Sequence, residues 1–159
     1  MFADVRRAFE KLPARTRARI HLAELPMDDV EENAAIVNAL QRAASVIVQK
    51  SLAEGFGLTV AEAMWKGRPV VASRIGGIED QVVDGETGIL VDPRRLDEFG
   101  AAVVKLLSGP ERAESMGAAA ARRVRAEYLA PRHLIQYLTL IVALLTVPTV
   151  ATRAARRAG

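Results

Sequence analysis

Two glutamates, Glu54 and Glu62, bracket the glycine-loosened turn Gly55-Phe56-Gly57-Leu58-Thr59, and an apolar, strand-like run, Ser45-Val46-Ile47-Val48, precedes it. A turn that leads from a strand into a helix leaves backbone N–H groups without intrahelical partners, at the positive end of the helix dipole. It is therefore suited to an anion such as pyrophosphate. Glu54 lies ahead of the turn and Glu62 about one helical turn in, so each carboxylate can accept hydrogen bonds from different hydroxyls of a bound sugar nucleotide. The same residues have a plainer reading. Thr59-Val60-Ala61-Glu62 has the form of a capping box, and Gly55 and Gly57 can simply close a tight turn. Glu54 has no role in such a cap. It favours a ligand for the turn and leaves Glu62 open between cap and ligand contact.

Around the turn, apolar runs alternate with helical patterns, which predicts an α/β fold with a parallel sheet. Strands are expected at Arg19–Leu25, Ser45–Gln49, Pro69–Ser73 and Thr87–Val91. Between the first two, Asp28 or Asp29 can cap a helix whose inner face is Val30, Ala34, Val37, Leu40 and Ala44. Its leading acids, Asp28, Asp29, Glu31 and Glu32, are explained by the helix dipole better than by a metal. Asp92-Pro93 is expected to open a helix lined by Leu96, Phe99, Val103 and Leu107. A second helix should run from Pro110 to about Tyr128, and a third should begin at Pro131. His21 and His133 stand alone and read as structural. Lys50 and Lys66 flank the turn and read as solvated charges.

At 159 residues, 50% hydrophobic and 26% charged, the chain has the size and composition of one globular domain. It has no cysteine, which excludes disulfide scaffolds, thiol catalysis and cysteine-bound zinc. The start, Met1-Phe2-Ala3-Asp4-Val5-Arg6-Arg7, lacks the uninterrupted apolar segment of a signal peptide, so a cytoplasmic protein is expected. A net charge of +3 is too small to argue for nucleic acid.

The motif Glu54 to Glu62, a glutamate, seven residues and a second glutamate, resembles the signature of retaining GT-B glycosyltransferases in their C-terminal, sugar-nucleotide-binding domain. The resemblance continues through Gly67-Arg68-Pro69-Val70-Val71-Ala72-Ser73, the Gly76-Gly77-Ile78 turn and Asp84-Gly85-Glu86-Thr87-Gly88-Ile89-Leu90-Val91, and it covers roughly residues 18–140. Gln49-Lys50-Ser51 and Met64-Trp65-Lys66-Gly67 look most like trehalose synthases of the glycosyltransferring type. What the resemblance implies is a Rossmann-like parallel sheet and transfer of glucose, with retention, from a nucleoside diphosphate glucose to glucose. Glu54 would be the catalytic-site carboxylate on the donor sugar, and Glu62 would take the ribose hydroxyls. Gly55, Phe56, Gly57, Leu58 and Thr59 would form the donor-binding turn, the amides of Gly57, Leu58 and Thr59 holding pyrophosphate and the Thr59 hydroxyl assisting. No metal and no cofactor beyond the nucleotide-sugar donor are needed in that scheme.

By the same resemblance, residues 1–146 correspond to an incomplete donor domain and residues 147–159 to a basic C-terminal tail. The N-terminal acceptor domain and the basic Gly-Arg to Lys-Gly segment of the family are absent. Two strands that the family places between Arg19–Leu25 and Ser45–Gln49 are absent with them, which leaves unpaired sheet edges. The chain is therefore expected to be marginally stable, to rearrange its first strand, or to associate with itself or with an N-terminal domain partner. The apolar run from Leu138 to Ala151, followed by Arg153, Arg156 and Arg157, corresponds to the family's interdomain helix. It is short for a transmembrane span, and no membrane partner is expected. The alternatives are a non-catalytic sugar-nucleotide binding fragment, a glycosyltransferase with another acceptor, and an interaction protein that uses the apolar tail at a membrane edge.

Overall fold

The computed structural model describes residues 2–146. The chain divides into two compact units, Met1–Ala39 and Leu40–Gly159. The first holds α1 (Phe2–Glu10), α2 (Ala14–Arg17) and the start of α3 (Val30–Ala43), which runs on into the second. Asp29 is the acid that caps α3, its Oδ1 accepting the Glu32 N–H at 2.9 Å. Neither α1 nor α2 is foreseen by the sequence reading. The expected strand at Arg19–Leu25 does not form: Arg19 and Ile20 donate back to Thr16 and Arg17 at 3.0 Å, and residues 21–26 have no regular structure. An extended segment is stable only when a neighbour takes its backbone groups, and residues 19–25 pair with no strand of the sheet.

The second unit carries a parallel sheet of three strands, β1 (Ile47–Gln49), β2 (Val70–Ser73) and β3 (Ile89–Val91), in that spatial order. Ile47 pairs with Val70, and Val71 with Ile89. The other three expected strands are thus present, each trimmed at its start. Between them lie α4 (Leu58–Trp65) and α5 (Gly77–Gln81); after them come α6 (Leu96–Leu107), α7 (Pro110–Glu127) and α8 (Ala130–Thr146).

Central strand β2 is buried at every position because helices cover both faces, which explains its unbroken Val-Val-Ala run. Val70 and Ala72 face one core, with Val60, Ala63 and Met64 of α4, Ile78 of α5, and Ala120 and Val124 of α7. Val71 faces the other, with Val91, Phe99, Ala102, Leu106 and Met116. Pro110 takes the first turn of α7 as expected, whereas Asp92-Pro93 does not open α6. Asp92 instead accepts the Arg94 N–H at 2.8 Å in a turn, and α6 starts three residues later.

Asp84 ties the entry of β3 to the end of β2. Its carboxylate accepts the Leu90 N–H at 2.9 Å and pairs with the Arg74 guanidinium. Partial burial pulls its pKa up, but the Leu90 N–H, Arg74 and the Gly85 N–H outweigh this and hold it below the ordinary 3.8. The stability it contributes is therefore fully present above 3.8 and is lost as pH falls through the lowered value. Asp84→Asn should cost about 1 kcal/mol near neutrality, since the group is largely solvated. Thermal melts from about pH 7 to about pH 2 should show the gap between wild type and variant closing on the acid side.

Every residue of α8 is exposed. By length and composition alone, the helical stretch Pro110–Thr146 contains a window apolar enough to cross a membrane, longer than the sequence reading allowed. The remainder of the apolar run and the basic tail, residues 147–159, lie outside the described residues.

Candidate functional site

The glycine turn joins β1 to α4 at the C-terminal end of the parallel strands. Gly57 caps α4 in the left-handed region, with φ 85° and ψ 57°. A Cβ there would be strained and would meet Ile78 Cγ1 at 2.9 Å. Its carbonyl accepts the N–H groups of Val60 and Ala61 at 3.0 and 3.2 Å. Among the described residues, no backbone carbonyl takes the N–H of Gly57, Leu58 or Thr59. These are orphan donors at the start of a helix of eight residues, and Leu58 and Thr59 are exposed.

The capping box does not form. Gly57 occupies the N-cap, so the third helical position is Val60, and Glu62 falls beyond reach of the box. Glu62 is released from capping and keeps a half-exposed carboxylate. Glu54 is partly buried, and its Oε2 faces the Ser51 hydroxyl at 3.4 Å. Along the chain the two glutamates flank the orphan amides, and Glu54 Cγ lies 3.6 Å from where a Cβ on Gly57 would stand. Among the described residues, no group of three His, Cys, Asp or Glu side chains is placed to hold a metal.

The turn is held from behind by a second loop. The Gly77 N–H donates to the Gly55 carbonyl at 3.0 Å, and the Gln81 amide donates to the Phe56 carbonyl. Ser73 Oγ accepts the Ser51 N–H at 2.9 Å. Ser73 and Gln81 are fully buried, and the bonds of Ser73 Oγ and Gln81 Nε2 tie the turn at both ends, while Gln81 Oε1 has no hydrogen-bond partner among the described residues.

Residues 30–123 match the family Glycosyl transferases group 1, and they carry both glutamates, the orphan amides and the loop behind them. The chain belongs to this family of glycosyltransferases. It takes the parallel α/β fold of GT-B C-terminal domains. A trehalose synthase from Pyrococcus horikoshii is 51% identical over 105 residues, which cover 66% of this chain and 25% of that protein. Sucrose-phosphate synthase from Thermosynechococcus elongatus superimposes with a TM-score of 0.69 at 28% identity, covering 92% of this chain and 35% of the other. A variant of S. aureus TarM in complex with Fondaparinux, alpha-GlcNAc-glycerol and UDP gives 0.61 at 27% identity, over 65% and 21% of the two chains. The chain thus spans about a quarter of the length of the trehalose synthases it matches.

In this glycosyltransferase chain several positions depart from the sequence reading. Lys66 is not a solvated charge: its side chain is 9% exposed, with Nζ 2.5 Å from Gln41 Oε1. Leu40, expected inside, is 57% exposed, and Gln41 takes the inner position at 5%. Gln41 lies four residues after Val37, on the apolar stripe, and a polar residue there was the available signal. Ser73 and Gln81 gave no local signal, since their partners are 22 and 25 residues away. Lys50 is exposed, as expected.

Proposed function

We propose that this chain carries the donor half-site of a retaining glycosyltransferase that passes glucose from a nucleoside diphosphate glucose to glucose, giving trehalose. The observation that carries the reading is the set of orphan amides of Gly57, Leu58 and Thr59 between two carboxylates without capping duties. The amides hold the pyrophosphate, with the Thr59 hydroxyl assisting and Gly55 and Phe56 shaping the approach. Glu54 accepts hydrogen bonds from hydroxyls of the donor sugar, and Glu62 from those of the ribose. As the bond from the sugar C1 to the phosphate oxygen breaks, negative charge grows on the leaving diphosphate. Preorganised N–H donors stabilise that charge more than they stabilise the bound donor, which lowers the barrier. The acceptor hydroxyl oxygen bonds to C1 on the face the phosphate leaves, and its proton passes to the departing diphosphate. The acceptor glucose is supplied by an N-terminal domain that works with this one.

The 51% identity to a trehalose synthase supports the glucose acceptor, and the UDP complex of TarM supports a nucleoside diphosphate at this fold. The test is calorimetric titration of the chain with UDP-glucose, ADP-glucose and GDP-glucose. At least one should bind. Glu54→Ala should weaken it by about tenfold or more, the scale of a lost hydrogen bond to a charged group. Binding unchanged by Glu54→Ala, or no binding by a chain shown to be folded, would exclude the assignment.

A further inference from the structure

Glu62, Gln41 and Lys66 form a closed polar contact in the second unit that capping, packing and the fold do not require. Gln41, in the last turn of α3, is 5% exposed, and its Nε2 lies 3.5 Å from Glu62 Oε2. Its Oε1 accepts from Lys66 Nζ at 2.5 Å, and that ammonium lies 4.0 Å from the same Glu62 oxygen. Lysine normally extends its charge into water, and withdrawing it to 9% exposure is unfavourable unless partners replace the water. Here a buried amide and a carboxylate replace it. A lysine serving only the helix dipole would have no need of either. Lys66 also follows the C-terminal end of α4, about 12 Å along the axis from the orphan amides at eight residues of 1.5 Å each, so it is spent on Glu62 and not on the phosphate turn.

Both groups face one oxygen of Glu62, Oε2, the Gln41 amide as a donor at 3.5 Å and the Lys66 ammonium as an ion pair at 4.0 Å. The Glu62 side chain remains half exposed, and neither of these two contacts involves its other oxygen. We infer that Gln41 and Lys66 are positioning residues that lock the Glu62 carboxylate in one orientation, so that its other oxygen meets the ribose hydroxyls of a nucleoside diphosphate. This inference rests on the reading of Glu62 given above. Without the pair, Glu62 must give up side-chain freedom on each binding event, a cost that preorganisation removes.

The experiment compares UDP with 2′,3′-dideoxy-UDP by saturation-transfer NMR on the whole chain, in wild type, Glu62→Ala, Gln41→Met and Lys66→Met, each first shown folded by its thermal transition. Methionine keeps the length of either side chain without its polar end. Each methionine variant should weaken UDP by about fivefold and leave the dideoxy nucleotide within about twofold, because the latter has nothing for Glu62 to hold. Lys66→Met, on a residue nearer the surface, keeps the test available should Gln41→Met fail to fold. Equal weakening of both nucleotides would show a merely structural role and overturn the inference. So would variants that bind like wild type while Glu62→Ala loses its preference for UDP. If Glu62→Ala itself keeps the wild-type preference, or wild type shows none, the ribose reading of Glu62 falls and the inference falls with it.

Discussion

Gly76→Ala should destabilise the chain by about 3 kcal/mol or more and abolish donor binding together. Gly76 sits at φ 53° and ψ −144°, a region that residues with a side chain occupy only under strain. A Cβ built there would lie 2.0 Å from the Glu54 carbonyl oxygen, which is backbone and cannot swing aside. The strain and the clash act on the same few atoms. Relief requires the turn bearing Glu54 to move off the Gly76-Gly77 loop, which breaks the hydrogen bond from Gly77 to Gly55. The melting temperature should fall by roughly 6–12 °C. Gly55→Ala is the control: nothing lies within 4 Å of its added Cβ, and its cost should stay near about 0.5 kcal/mol. Equal, small effects of the two variants would mean that the two loops are not in contact.

Met64→Ala should cost about 2–5 kcal/mol, the range for truncating a fully buried side chain in a core that cannot collapse onto the space. Met64 is 0% exposed and lies in the cluster formed by α4, β2, α5 and α7. Its neighbour Trp65 is larger but 42% exposed, with the Arg125 guanidinium 5.3 Å from its ring centre. Trp65→Ala should therefore cost less, about 1 kcal/mol. Denaturant unfolding of both variants checks the order. A larger loss at Trp65 than at Met64 would mean that α4 presents the opposite face to the sheet. Because α4 carries the orphan amides, the packing of Met64 also aims the proposed anion site.

Features of the sequence that depend on burial or on neighbours in the chain were readable in advance. The Val70-Val71-Ala72 run signals a strand covered on both faces, and Pro110 marks the first turn of a helix. The glycine turn was readable as the entry to a helix, and the spacing of its two glutamates sets them about the start of α4 along the chain. What failed was decided by tertiary context. Arg19–Leu25 has strand-like residues but no partner strand, and Thr59-Val60-Ala61-Glu62 has the letters of a capping box two residues too late. Leu40 and Gln41 exchange the places that hydrophobicity assigns them, because Gln41 is satisfied by Glu62 and Lys66 from another helix. Such partners are invisible along the chain.

The central claim is that the amides at the start of α4 receive the diphosphate of a sugar nucleotide. Backbone amide chemical shifts, followed by heteronuclear NMR as UDP-glucose is added, test it residue by residue. The account predicts that Gly57, Leu58 and Thr59 move most, with smaller changes at Glu54 and Glu62 and none in α6. Shifts confined to other surfaces, or an unchanged spectrum of a folded chain at saturating UDP-glucose, would contradict it.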